Sequence, residues 1–215
     1  MEHNHHDKDP ALIPAPAPML PCTSQHPPDL ASRLDNNCAC VVAGLTADAN
    51  LLINEARLAA QRYLYTYQEN MPVEQLVRTV CNYKQAYTQF GGLRPFGVSF
   101  LFTGWDMHFG FQLYQSDPSG NYGGWKATAI GANNQAGKSL MKSDYQEGAS
   151  LEECLRLAVK VLKKTMDSTS PSPEKMEFTT ITRVDGKVVH KILTDEETSK
   201  LLEEVEVEGA TEGDV

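Results

Sequence analysis

One stretch of this sequence, residues 131–139, comes close to a phosphate-binding motif. It consists of Gly131, five further residues and then Gly137-Lys138-Ser139, and it lies between a predicted strand and a predicted helix. That is the setting of a phosphate-binding loop, but such a loop has four residues between its glycines. The extra residue moves the backbone N–H groups away from the positions that hold a β-phosphate. We interpret the stretch as a strand-to-helix turn and keep nucleotide binding as a minor alternative.

The cysteines and histidines do not match a catalytic or metal-binding pattern. The five cysteines are an odd and widely scattered set, which favours free thiols in a reducing compartment. Cys38 and Cys40 are not expected to share a metal, and His108 and His190 have no carboxylate at a fixed spacing. No pattern marks a thiol with the lowered pKa that a nucleophile needs. We therefore expect no catalytic residue, no cofactor and no metal site.

The charge and hydropathy patterns exclude two further classes of partner. The formal net charge is −9, and residues 195–215 alone hold nine acidic residues and one lysine. The rest of the chain is thus nearly neutral and has no basic surface for nucleic acid. No apolar run reaches the roughly 18 residues that cross a bilayer, and the first residues lack the basic start of a signal peptide. These features predict a soluble intracellular protein that binds neither nucleic acid nor membrane.

Composition divides the chain into three parts. Seven of the twelve prolines lie in the first 28 residues, and proline can neither continue a helix nor donate a backbone hydrogen bond. Residues 1–35 are therefore expected to form a disordered arm. Residues 36–194 are expected to form the folded domain, and residues 195–215 a C-terminal helix with an acidic tail.

In the first half of the domain, a buried strand at Cys38–Gly44 precedes two amphipathic helices. The first helix is predicted to be capped by Asp48. The second begins after Pro72 and has an apolar stripe made of Val73, Leu76, Val77, Val80, Tyr83 and Tyr87. Strands are then predicted at 98–104 and 108–114, joined by a turn at Trp105-Asp106, and a third strand at Trp125–Ile130.

The second half repeats this order of elements. A helix is predicted at 134–145, and the next one begins with a capping box formed by Ser150 and Glu153. Asp185-Gly186 is a strong hairpin signal between two strands, and a last helix starts near Asp195. Two helix pairs separated by antiparallel strands predict a layered sandwich with helices on both outer faces.

Two long segments carry a resemblance to a known family. Residues 83–99 contain Arg94, Pro95, Phe96 and Gly97, and residues 110–128 contain Asp117, Pro118, Ser119, Gly120, Tyr122 and Trp125. Both segments resemble those of proteasome alpha-type subunits, and the resemblance runs from about Cys38 to about Leu202. It implies that the ten named motif residues have a structural or interface role.

The resemblance also implies a fold and a function. The fold is an α+β, four-layer αββα sandwich of the N-terminal-nucleophile hydrolase type. Alpha subunits form the outer rings of the 20S core in the cytoplasm and nucleus, where they support gating and activator docking in ubiquitin-dependent protein catabolism. The implied partners are other alpha and beta subunits and the regulatory particle. Catalysis belongs to an N-terminal threonine of beta subunits, so this chain is expected not to be an enzyme.

The sequence departs from the family at its N-terminal end. Family members begin with a segment that contains Phe-Ser-Pro-Glu-Gly-Arg and Gln-Val-Glu-Tyr, and the proline-rich arm takes its place here. The family pattern joins only near Asn36, so the sandwich is expected to lack its first strands. The alternative function is therefore a truncated variant that does not enter the ring and at most binds assembly factors or sister subunits.

Overall fold

The structure is a computed structural model that describes residues 11–14, 31–166 and 176–211. Its strands are β1 (Ala11–Pro14), β2 (Ala31–Asp35), β3 (Cys38–Gly44), β4 (Val98–Asp106), β5 (Gly110–Ser116), β6 (Tyr122–Gly124), β7 (Phe178–Val184) and β8 (Lys187–Ile192). Its helices are α1 (Thr46–Tyr67), α2 (Val73–Gln89), α3 (Asn134–Asp144), α4 (Leu151–Thr165) and α5 (Asp195–Thr211).

Five strands form an antiparallel sheet in the order β2-β3-β4-β5-β6. The central strands β3 and β4 are buried along most of their length, because other layers cover both faces of the sheet. Their register places Cys40 opposite Phe102 and Val42 opposite Phe100. The continuous apolar run of β3 is typical of a strand that is covered on both sides.

Helices α1 and α2 cover one face of this sheet. Their buried side chains pack with those of β3 and β4 in one cluster, in which the rings of Phe100 and Phe102 stack with centroids 5.1 Å apart. Other fully buried members are Leu52, Ala60, Val73, Leu76 and Val77. Burial of a side chain of this size contributes about 1.5–3 kcal/mol, so this cluster fixes the helix pair on the sheet.

The second sheet has the order β1-β7-β8 and is also antiparallel. Helices α4 and α5 pack against it in a second apolar cluster, which includes Val159, Leu162, Phe178, Leu201 and Leu202. The C-terminal helix α5 thus belongs to the core of the fold, at least as far as Val205.

The two sheets face each other. Strand β1 contacts β4 and β5 of the larger sheet and also contacts α4. The face of the larger sheet that is opposite α1 and α2 has its own apolar cluster, which includes Val41, Leu101 and Ile130. The layers are therefore helices, sheet, sheet and helices. This arrangement confirms the predicted α+β sandwich.

Two strands lie in the part of the chain for which we expected disorder. Strands β1 and β2 are both within residues 1–35, so the sheets begin before the predicted domain boundary at residue 36. Strand β2 pairs with β3 from Ala31 onwards. The rest of the predicted arm, residues 1–10 and 15–30, and the end of the acidic tail lie outside the described residues.

Two further predictions about strands were wrong. The strand that follows β5 is Tyr122–Gly124 and not Trp125–Ile130, because pairing with β5 ends at Gly124. The β4–β5 hairpin turns after Asp106 and not at Trp105-Asp106. The carboxylate of Asp106 accepts hydrogen bonds from the backbone N–H groups of His108 and Phe109, and these bonds stabilise a turn at residues 107–109.

Candidate functional site

The loop before β4 is held by Asp48. The carboxylate of Asp48 accepts two hydrogen bonds from the guanidinium of Arg94, at 2.6 and 2.8 Å, and one from the backbone N–H of Gly97 at 2.9 Å. The Arg94 bonds, and then the Gly97 bond, lower the pKa of Asp48 to about 2. We expected Asp48 to cap α1, but Leu45 is the residue before the helix and Asp48 lies in its first turn. Its carboxylate connects the loop to the helix instead.

Phe96 and Gly97 anchor the same loop to the core. The Phe96 side chain is buried and lies against Tyr87, with ring centroids 4.6 Å apart. The carbonyl of Gly97 accepts a hydrogen bond from the Leu45 backbone at 2.9 Å, and a Cβ on Gly97 would lie 2.8 Å from the Leu45 side chain. Arg94 and Pro95 remain exposed. The loop therefore presents an exposed surface on a fixed backbone.

The second motif is a tight turn that begins at Asp117. One oxygen of the Asp117 carboxylate accepts hydrogen bonds from the backbone N–H groups of Ser119 and Asn121 and from the Ser119 hydroxyl. This is the turn chemistry that the sequence predicted. Pro118 and Ser119 at its tip are exposed.

Gly120 places this turn directly on α2. Its φ is +91°, which favours glycine, and a Cβ would lie 2.5 Å from the carbonyl oxygen of Cys81 and 2.9 Å from the backbone nitrogen of Gln85. Any side chain at this position would push the turn off the helix.

Tyr122 and Trp125 extend this second surface. The Tyr122 hydroxyl accepts a hydrogen bond from Arg78 at 3.1 Å and donates one to Glu74 at 3.3 Å, so it joins β6 to α2. Trp125 is about half exposed, and the ammonium of Lys138 lies 5.5 Å from the centre of its ring. The ten motif residues thus form two groups, the loop directly before β4 and the segment from Asp117 to Trp125 that follows β5 and contacts α2.

Sequence reasoning missed the residue that lies between the two groups. Lys84 is fully buried, whereas Tyr83, which we placed in the apolar stripe of α2, is 39% exposed. The ammonium of Lys84 donates to backbone oxygens of Val98 and Asp117. Its spacing of three from Cys81 and four from Val80 could have indicated burial, but the predicted apolar stripe of α2 did not include it.

The near-match to a phosphate-binding loop has a packing role. Gly137 is buried inside α3, and a Cβ there would lie 3.2 Å from the side chains of Val161 and Thr165 on α4. Lys138 is directed to the ring of Trp125. The second glycine therefore allows α3 and α4 to approach. The stretch is a turn that leads into α3, but residues 125–130 before it are not a strand, so the predicted strand-to-helix context is wrong.

The described part of the chain offers little chemistry for catalysis. Burial raises the pKa of the Cys40 thiol to about 12 and that of Cys81 to about 11. Cys38 and Cys154 also have raised pKa values, first because of burial. The described residues contain no group of three or more potential metal ligands. None of the described helices is long and apolar enough to span a membrane.

A cleft lies between β5, residues 124–128 and helices α3 and α4. Its volume is about 520 Å³, and its walls include Leu113, Met141, Leu157 and Val161. The one thiol on its wall is that of Cys154, which stays protonated at neutral pH because of its raised pKa. The cleft has no activated nucleophile among its described residues.

Comparison with known proteins gives a consistent result. A family model described as proteasome subunit matches residues 31–181. The chain is 59% identical over 173 residues to proteasome subunit alpha type-4 of Spinacia oleracea, an alignment that covers 80% of this chain and 69% of that protein. It is 60% identical over 171 residues to proteasome subunit alpha type-4-A of Arabidopsis thaliana, with 79% and 68% covered. Against the alpha type-4 subunit of Dictyostelium discoideum it is 55% identical over 181 residues, with 84% and 72% covered.

Proposed function

The chain belongs to the proteasome subunit family, in its alpha-type branch, and we propose that it is a structural, non-catalytic subunit of the alpha ring of the 20S core. There it supports gating and activator docking in ubiquitin-dependent protein catabolism. Its partners are other alpha and beta subunits and the regulatory particle, in the cytoplasm and nucleus, and not nucleic acid or membrane.

The observation that carries this proposal is the exposed apolar surface around Arg94. Phe90 is 68% exposed and Leu93 is 66% exposed, and both lie next to a loop that Asp48 and Phe96 hold in place. Large apolar side chains exposed on a fixed backbone are typical of a surface that a partner covers. We therefore assign Arg94, Pro95, Phe96 and Gly97 to a contact with a neighbouring subunit, with Phe96 and Gly97 acting through the position of the loop.

The turn at Asp117–Gly120 supports a second contact. Pro118 and Ser119 are exposed on a turn that Gly120 fixes against α2. Trp125 presents half of its surface to solvent nearby, and tryptophan is enriched at the centres of protein interfaces. We assign Asp117 to Gly120, with Tyr122 and Trp125, to this contact.

The non-catalytic role is supported by the raised pKa values of the four described cysteines. A thiol with a raised pKa is a weak nucleophile at neutral pH. Alpha-type proteasome subunits are generally non-catalytic, and we propose the same for this chain.

A second candidate function is favoured by where the family match begins. The match starts at Ala31, and the sequence before it lacks the N-terminal signature of the family. The chain would then bind assembly factors or sister subunits without entering the ring.

Native gels of the chain co-expressed with tagged sister alpha subunits separate these functions. A ring subunit gives complexes of ring size, whereas the second candidate gives only small complexes. The double variant Phe90→Ser/Leu93→Ser should reduce co-purification with sister subunits at least about tenfold, because interface hot spots cost more than 1 kcal/mol each. Val189→Ser, which changes an apolar residue 42% exposed on β8, serves as the control. If the chain binds no alpha subunit, or if the double variant binds as well as the control, the proposal is wrong.

A further inference from the structure

Lys84 is a buried cation whose hydrogen bonds are all made to uncharged oxygens. Its ammonium donates to the Val98 carbonyl at 3.0 Å, to the Ser116 hydroxyl at 2.9 Å and to the Asp117 carbonyl at 3.2 Å. It also lies 4.6 Å from the centre of the Phe100 ring. An ammonium has three N–H donors, so all three are used and the charge is stabilised by dipoles and a ring face.

The three acceptors lie in two different parts of the chain. Val98 begins β4 and directly follows the Arg94–Gly97 loop, whereas Ser116 ends β5 and Asp117 begins the Asp117–Gly120 turn. Lys84 itself is on α2, which Gly120 contacts. A single side chain is therefore bonded to the backbone at the edge of both motifs.

We propose that Lys84 is a positioning residue that holds the Arg94–Gly97 loop and the Asp117–Gly120 turn in one fixed arrangement, so that they form a single contact surface. The use of that surface for subunit contact rests on the proposed function. The positioning itself rests only on the geometry of Lys84 and its three acceptors.

The charge of Lys84 gives this arrangement a dependence on pH. Burial lowers the pKa of Lys84 from 10.5 to about 8. The titratable groups that face it are Cys81 on α2, Cys40 on β3 and Asp117 in the turn. Between pH 8 and 10.5 the unfolded chain keeps a proton on Lys84 that the folded chain has released. The contribution of Lys84 to the free energy of unfolding therefore increases as pH rises through that range. The raised pKa values of Cys40 and Cys81 have the opposite effect, because they decrease the free energy of unfolding as pH rises above about 9.

The test compares Lys84→Met with Lys160→Met in the full chain. Methionine keeps an unbranched stem of similar volume but has no donor, and Lys160 is exposed on α4, so the control makes the same change on the surface. Hydrogen exchange in Lys84→Met should be at least about tenfold faster in both 94–98 and 117–121, because buried acceptors lose their donor. In Lys160→Met both segments should stay within about twofold of the unchanged chain. Faster exchange in neither segment, or in only one, would overturn the proposal.

A second variant applies if Lys84→Met does not fold. Ser116→Ala removes one acceptor and little volume, and it should speed exchange in both segments by about fivefold, the loss of one hydrogen bond. An effect confined to 117–121 contradicts the positioning role.

A pH profile provides a readout that packing alone does not give. Between pH 7.5 and 9, the unfolding equilibrium constant of Lys84→Met divided by that of the unchanged chain should rise about eightfold, since cysteine contributions cancel in the ratio. A ratio that does not change with pH contradicts the proposal.

If both segments loosen and the variant still binds sister subunits normally, positioning stands and the contact role fails. If the unchanged chain binds no subunit, the proposed function fails and hydrogen exchange still decides the positioning role.

Discussion

Individual residues in and around the two motifs act mainly by fixing the backbone, and Asp48, which lies outside both motifs, is the clearest case. Its carboxylate connects α1 to Arg94 and Gly97, although no motif in the sequence contains it. The side chain of Asp48 is 11% exposed and that of Arg94 is 67% exposed, so solvent weakens the ion pair while the bond from the Gly97 backbone persists.

The lowered pKa of Asp48 predicts how stability changes in acid. With a folded pKa of about 2, against an unfolded value of 3.8, its contribution is complete above about pH 5 and is lost as pH falls toward 2. Asp48→Asn should cost about 1 kcal/mol at pH 7 after allowance for solvent screening, and it should weaken the fall in stability between pH 5 and 3. Urea unfolding at both pH values checks this, with the exposed Glu204→Gln as the control. Equal pH dependence in Asp48→Asn and the unchanged chain contradicts the role of Asp48.

Gly120 allows a prediction that separates backbone strain from close approach. Gly120→Ala should destabilise the chain by about 3 kcal/mol, because its φ is +91° and its Cβ would overlap the Cys81 carbonyl. Gly92 has a similar φ of +94° but open space around it, so Gly92→Ala should cost only about 1 kcal/mol. Thermal unfolding of the two variants measures the difference. Similar losses would mean that the turn is not held against α2.

At the scale of elements, the start of α4 shows how a local signal fixes a helix. The Ser150 hydroxyl accepts from the Glu153 N–H at 3.2 Å, and the Glu153 carboxylate accepts from the Ser150 N–H at 2.6 Å. Both halves of the predicted capping box are therefore confirmed. The bond from Ser150 lowers the pKa of Glu153.

This cap has a measurable contribution. Ser150→Ala should destabilise the chain by about 1 kcal/mol, because the backbone N–H of Glu153 in the first turn of α4 loses the hydroxyl that accepts its hydrogen bond. The control is Ser139→Ala. Ser139 lies inside α3, where its hydroxyl donates a hydrogen bond to the Gln135 carbonyl, and its substitution should change the free energy of unfolding by less than about 0.5 kcal/mol. Urea unfolding distinguishes them, and a loss in Ser150→Ala no larger than in the control would contradict the capping role.

Elements with local signals were predictable, and those that depend on tertiary partners were not. Asp185 and Gly186 have φ values of +49° and +75°, as the predicted hairpin turn requires. In contrast, β6 ends at Gly124 because pairing with β5 ends there, and β2 is a strand because β3 lies beside it. The residues of the candidate site were found through motifs. Lys84 was missed and Asp48 was assigned to a helix cap, because their roles depend on contacts between distant segments.

At the scale of the whole molecule, the exposed apolar residues and the charge distribution agree with a chain that has partners. Tyr65 on α1 is 84% exposed, and Met107 and Phe109 at the tip of the β4–β5 hairpin are 75% and 74% exposed. Most of the net charge of −9 lies after residue 194, so the part of the sandwich before α5 is nearly neutral and has little charge to repel a neighbouring subunit.

We propose that this chain is a subunit of the proteasome alpha ring, and sedimentation tests that role. A cell extract that contains a tagged form of the chain is separated on a density gradient, and the tag is measured in each fraction together with a 20S beta subunit. A ring subunit is expected to sediment with 20S particles in stoichiometric amount. Sedimentation only as free protein or in small complexes, with none in the 20S fractions, would contradict it.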